Sequence, residues 1–168
     1  LPVIEALSGE GLIVSVDTWR AETAAAALAA GAHIVNDVHG LQRDPAIADV
    51  AAMGRAGLVI MHTGRDREKL ADVVTDQRTF LSRSLEIARE AGVEAERIML
   101  DPGFGFAKDE RENIELIARF GELQELAWPW LIGTSRKRFI GAITGREAAA
   151  RDAGTAATSV VLRLAGAA

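Results

Sequence analysis

Apolar residues along the chain gather into short, nearly continuous runs, each followed by a longer stretch in which they recur at helical spacing. Five runs read as strands: residues 12–16 (LIVSV), 33–38 (HIVNDV), 57–62 (GLVIMH), 97–100 (RIML) and 129–134 (PWLIGT). They lack the alternation of a half-solvated strand, which is the pattern of parallel strands covered on both faces. The stretches between them predict helices over residues 20–30, 45–55, 76–91, 109–120 and about 152–165. Local signals mark the ends. Asp44 supplies an N-cap with Pro45 at the first helical position, Asp109 and Glu112 have capping-box spacing, and Gly31, Gly92 and Gly121 stand where helices should stop.

Repeated strand–helix units imply a parallel sheet with right-handed crossovers. No G-x-G-x-x-G follows an early strand, so the dinucleotide fingerprint of an open doubly wound sheet is absent. Polar residues instead mark the ends of the runs: Asp17, Asn36, His62, Asp101 and Ser135 each lie at or just beyond the C-terminal end of a different one. A closed barrel gathers those ends on one face, where its chemistry is placed. The sequence therefore predicts an α/β fold of the TIM type, a (β/α)8 barrel of which residues 1–168 form a single domain covering about five central and C-terminal units. The chain opens without Met, in what reads as the last turns of a helix, and no strand precedes Leu12. The expectation is a barrel lacking its N-terminal strands and its last strand. Alone, such a piece would leave sheet edges unpaired.

Composition narrows the function. With 49% hydrophobic and 26% charged residues the chain reads as one soluble globular unit. Its 19 Lys and Arg against 24 Asp and Glu, for a net charge of −5, give no broad basic field, so nucleic acid is not an expected partner. No apolar run approaches the roughly 18 residues needed to cross a bilayer and the first residues do not resemble a targeting segment, so no membrane partner is expected. The absence of Cys restricts catalysis to Asp, Lys, Arg, His, Ser and Asn, and fits a cytoplasmic location.

Several polar residues then invite a chemical reading. Asp17 ends a run of Val and Ile, where a carboxylate needs a partner or solvent, but it would equally suit the N-cap of the next helix. Asn36 and Asp37 interrupt an apolar run; an amide carries both donor and acceptor and suits the edge of a heterocycle, the alternative being a loop-fixing hydrogen bond. His62 reads as a hydrogen-bonded structural residue rather than a metal ligand or base. Asp101 opens DPGFGFAK, in which Pro102 fixes one backbone angle and Gly103 and Gly105 free others, so that Phe104 and Phe106 are expected outward beside Lys108 as a binding surface. In GTSRKRFIG, Ser135, Arg136, Lys137 and Arg138 stand at the start of a helix, where N–H groups and three cations favour a phosphate or carboxylate. A metal hydrolase built on Asp17, Asp37, His62 and Asp101 is a poor reading, because the three His are scattered and no H-x-H pair occurs.

These motifs, in this order, resemble those of dihydropteroate synthases over essentially the full length: VDTWRAE with Asp17, IVNDVHG with Asn36 and Asp37, Met61-His62, DPGFGFAK from Asp101 to Lys108, GTSRK from Gly133 to Lys137, and GTAAT from Gly154 to Thr158. The resemblance implies a transferase that condenses 6-hydroxymethyl-7,8-dihydropterin pyrophosphate with p-aminobenzoate to give 7,8-dihydropteroate and pyrophosphate, usually with Mg2+ and as a homodimer. It implies Asp17, Asn36, Val38, Met61, Asp101, Gly133 and Lys137 as pterin-binding residues, with Lys137 and Asp101 catalytic. Phe106, Ser135 and Arg138 are implied for p-aminobenzoate. Many relatives have Ser where this chain has Arg138, whose guanidinium is expected to take over part of the carboxylate recognition. The family's pyrophosphate and Mg2+ ligands are expected mostly outside these residues, with no metal ligand within them, so that the piece alone should be inactive. Two further readings are a non-catalytic pterin-binding paralogue and the pterin-binding domain of a methyltetrahydrofolate:corrinoid methyltransferase. DPGFGFAK and GTSRK favour the synthase.

Overall fold

A computed structural model describes residues 1–168 as two compact units, Leu1–Met61 with Leu81–Leu100, and His62–Phe80 with Asp101–Ala168.

The first unit carries α1 (Pro2–Gly9), β1 (Ser15–Asp17), α2 (Ala21–Ala29), β2 (Ile34–Asp37), α3 (Ala46–Met53) and β3 (Gly57–Met61), together with all but the last residue of β4 (Ile98–Asp101). The sheet runs in the order β1-β2-β3-β4, with β1 and β3 each parallel to β2 and Asp17 opposite Asn36. Burial follows position: β3 is covered from Leu58 to Met61, whereas edge strand β1 is not. Leu12 and Ile13 are 52% and 77% exposed and precede β1, so the first run yields a shorter strand than its apolar residues suggest. Val35, Leu58, Ile60 and Leu100 are buried from the sheet, and Ala24, Ala27, Ile47, Ala48 and Ala51 from α2 and α3.

Asp44 does not cap α3. Its Oδ2 accepts from the N–H of Ala21, the first residue of α2, at 2.9 Å, while α3 begins after Pro45 without any side-chain cap. The main-chain oxygen of Asp44 already closes the first turn of α3 by accepting from Ile47 N, which leaves the carboxylate available for the other helix. Gly31 ends α2 as expected, with φ of 99°, and a Cβ there would lie 2.4 Å from Ser8 Oγ.

The second unit receives the start of α4 (Val73–Glu90) and contains α5 (Glu110–Ala118), a 3-10 stretch Phe120–Leu126, α6 (Arg138–Thr144) and α7 (Asp152–Leu164). The capping box forms: Glu112 N donates to Asp109 Oδ1 at 2.8 Å and Asp109 N to Glu112 Oε2 at 2.6 Å. Gly121 lies inside the 3-10 stretch instead of ending α5. The fifth apolar run does not become a sheet strand; Trp130 makes an isolated bridge and its carbonyl accepts from Ala168 N at 3.0 Å. Pro129 lacks the N–H that a ladder requires. Phe104, Leu116, Phe120, Leu123 and Trp130 are fully buried, Trp130 edge-on to Phe120 at 5.6 Å. In the GTAAT segment a Cβ on Gly154 would come within 2.5 Å of Ile140, so α7 requires glycine where it meets α6. No helix is long and apolar enough to cross a membrane.

Candidate functional site

In the first unit, strand register decides what Asp17 touches. Asp17, the last residue of β1, stands opposite Asn36, the penultimate residue of β2, and Asn36 Nδ2 donates to Asp17 Oδ2 at 3.2 Å. The capping alternative for Asp17 is not realised. The N-cap of α2 is Arg20, and the nearby bonds are Arg20 N to Thr18 Oγ1 and Ala21 N to Asp44. Asp17 stays exposed, while Asn36 Oδ1 is buried with no hydrogen-bond partner. Asp37 takes the loop-fixing role: its carboxylate accepts from His39 N at 2.8 Å and Leu41 N at 2.7 Å, and burial raises its pKa in spite of these bonds. Val38 is half-buried after it, and Met61 is buried at the end of β3.

In the second unit, the DPGFGFAK loop is pinned at several points. Asp101, 9% exposed, accepts from Gly103 N at 2.7 Å; burial raises its pKa, against that bond and the nearby ammonium groups of Lys137 and Lys108. Asn113 on α5 accepts from Gly105 N and donates to Lys108 O, and Gln77 Nε2 donates to Pro102 O. Lys108 points inward: its Nζ donates to Gly103 O at 2.9 Å, and burial lowers its pKa to about 7. Of the two aromatics expected outward, only Phe106 is presented; Phe104 is fully buried, 5.9 Å from Phe139. Turning Phe104 inward gives the loop an apolar anchor, which its alternation with glycine permits.

Lys137 caps this arrangement. Its Nζ donates to the Phe104 carbonyl and lies 4.5 Å from the Phe106 ring centroid. Partial burial lowers its pKa, with Asp101 opposing. The three-cation anion site is reduced to two cations, because Arg136 is tied to Asp152 at 2.6 and 2.9 Å. Helix α6 is seven residues long, and Ser135 and Arg138 are both exposed near its start. Arg138 lines a cavity of about 330 Å3 with Gly105, Lys108 and Asn113, and Gly133 is half-buried upstream.

His62 is structural. It is fully buried; its Nε2 lies 3.0 Å from Asp76 Oδ2, and burial lowers its pKa to about 4 although Asp76 opposes this. Arg67 also pairs with Asp76, so that, despite burial, hydrogen bonds from Arg67 and His62 hold the carboxyl well below its ordinary pKa. Arg67, Asp76 and Asn113 are working residues that the sequence pattern does not single out; Asn113 alone leaves a signal, as a polar residue on the buried face of α5 beside Leu116. No group of three or more His, Cys, Asp or Glu side chains is placed to hold a metal ion.

All of residues 1–168 match the family model described as pterin binding enzyme. The dihydropteroate synthase of Synechocystis sp. is 43% identical over 150 residues, a match spanning 85% of this chain and 52% of that protein. That of Bacillus subtilis is 42% identical over 159 residues, 94% of this chain and 55% of the relative. Among solved structures, a Clostridium difficile dihydropteroate synthase crystallised in the presence of pteroic acid superposes with a TM-score of 0.94 at 40% identity, covering 99% of this chain and 64% of that one. A Xanthomonas albilineans dihydropteroate synthase with 4-aminobenzoic acid gives 0.92 at 42% identity, with 99% and 61% covered. The chain thus spans about half the length of these two curated relatives.

Proposed function

Because the chain belongs to the pterin-binding enzyme family and has an α/β fold that is part of a (β/α)8 barrel, we propose that it supplies the pterin pocket and the p-aminobenzoate wall of a dihydropteroate synthase. The reaction joins 6-hydroxymethyl-7,8-dihydropterin pyrophosphate to p-aminobenzoate and releases pyrophosphate.

One observation carries the reading: Asn36 Oδ1 is buried without a donor while its amide nitrogen is held by Asp17. An unpaired buried acceptor costs about 1 to 3 kcal/mol, and a heterocycle presenting an N–H to it would remove that cost. In the proposal, Asp17, Asn36 and Asp101 read the donor and acceptor edge of the pterin, Lys137 meets its ring carbonyl, and Val38, Met61 and Gly133 shape the slot. Phe106 packs on the p-aminobenzoate ring, with Ser135 and Arg138 toward its carboxylate.

The pyrophosphate departs, leaving a cationic methylene that the aniline nitrogen attacks; the new C–N bond replaces the C–O bond, and the aniline proton is lost to solvent. Asp101 and Lys137 contribute by holding the ring and its developing charge, so catalysis is largely positioning and electrostatics. The proposal includes Mg2+ as an ion that these residues do not themselves cage, and a cytoplasmic homodimer without nucleic-acid or membrane partners.

The test is pyrophosphate release by the complete protein given the pterin pyrophosphate with and without p-aminobenzoate. Release that needs both substrates and collapses in Asp101→Ala and Lys137→Ala supports the synthase. Pterin binding without release would replace it with a silent paralogue or a methyltransferase-type pterin domain.

A further inference from the structure

Residues 62–72, between β3 and α4, have no part in the reaction as described, yet they are braced throughout. Arg67 donates through Nε to Thr63 O at 2.8 Å and through Nη1 to Asp76 Oδ1 at 2.8 Å, and Leu70 N also donates to Asp76. Lys69 Nζ donates to Ala107 O at 2.9 Å and pairs with both oxygens of Glu112, at 2.6 and 2.8 Å. Gly64 N reaches Phe106 O at 3.4 Å, and a Cβ at Gly64 would lie 2.9 Å from Ala107 O. The segment is therefore fastened to the Phe106 loop by main chain and side chain alike.

This bracing fixes Arg65, whose guanidinium carbon stands 4.8 Å from the Phe106 ring centroid; Lys137 Nζ approaches the same ring to 4.5 Å. Phe106 needs such a hold. It is flanked by Gly105 and Ala107 with φ of 79° and 50°, both in the left-handed region, and its ring is half-exposed. A cation over an aromatic face is attracted to the ring quadrupole. Arg65 is exposed, and, after burial, its guanidinium also helps lower the Lys137 pKa, so two like charges converge on this one ring.

We propose that Arg65 is a positioning residue for the aromatic co-substrate, fixing the Phe106 ring together with Lys137 in the orientation that packs on p-aminobenzoate. This rests on the reading that Phe106 lines the p-aminobenzoate site. Losing the cation makes the ring pay its ordering cost on binding, so the effect falls on one substrate only.

The experiment compares Arg65→Met, which keeps length without charge, and Arg65→Lys in the complete protein, each with Phe106 intact or replaced in Phe106→Leu. Arg65→Met should raise the KM for p-aminobenzoate roughly three- to tenfold and leave kcat and the pterin KM within about twofold. Arg65→Lys should restore most of the loss, and Arg65→Met should add nothing in the Phe106→Leu background. An unchanged KM, a joint shift of both KM values and kcat, or an equal rise without Phe106 would overturn the proposal. Amide exchange over residues 103–108 is read in parallel and should quicken in Arg65→Met. If the unmodified protein releases no pyrophosphate in response to p-aminobenzoate, the synthase reading fails by itself. Unchanged exchange then overturns the hold of Arg65 on Phe106, and quickened exchange sustains it.

Discussion

Asn36 is held from one side only: its Nδ2 donates to Asp17 Oδ2 at 3.2 Å, and its Oδ1 lies buried without a donor. Asn36→Leu should therefore abolish measurable pterin binding while leaving the protein as stable or more stable, by up to about 1 kcal/mol. Calorimetric titration with a pterin, set beside urea unfolding, checks both halves, and a variant that lost stability and kept affinity would contradict them.

Asp101 illustrates the same opposition with charge. Burial raises its pKa, yet an amide in its place could still accept from Gly103 N and keep the loop closed. Asp101→Asn should hold its unfolding midpoint and lose at least about tenfold in pterin affinity, because one oxygen becomes a donor facing donors and Lys137 loses a nearby anion. Affinity measured at neutral pH decides it.

Acid should weaken the fold in two stages. His62 has its pKa lowered by burial from 6.5 to about 4, so the unfolded state binds more protons between these values. Stability then falls as the pH drops from about 6.5 to about 4, by about 3 kcal/mol in full. Asp76, held low by Arg67 and His62 against its burial, stabilises above the unfolded carboxylate pKa of 3.8 and loses that contribution only at lower pH. Urea unfolding from pH 7 to pH 2 should show the first decline vanish in His62→Gln and the second, below pH 3.8, persist.

Much of this was legible from residue order. Four of the apolar runs became sheet strands, and Asp109 with Glu112 made the capping box their spacing suggested. Asp17, Asn36 and Asp101 fall at or next to strand ends, where a polar residue after an apolar run leaves a plain mark. Pairings across sequence left none. Arg136 looked like one cation among three until Asp152, sixteen residues on, neutralised it. Asp76 looked like a helix start and serves as the anchor of His62 and Arg67. Period and composition report which face a residue occupies and are silent on which distant partner it meets there.

The cap of α2 gives a stability test free of any ligand. Asp44→Ala should destabilise the protein by about 1 kcal/mol through the exposed amide of Ala21, with the loss of amide protection at α2 and not at α3. Hydrogen exchange followed by mass spectrometry separates the two helices, and a loss confined to α3 would reverse the assignment.

That cap lies twenty-three residues downstream of the amide it closes. On a ribosome, α2 therefore emerges with its first turn unfinished and stays so until β2 and the following turn have been made. A chain stalled before Asp44 would hold α2 with the Ala21 amide still open, less stable by about 1 kcal/mol than in the finished fold.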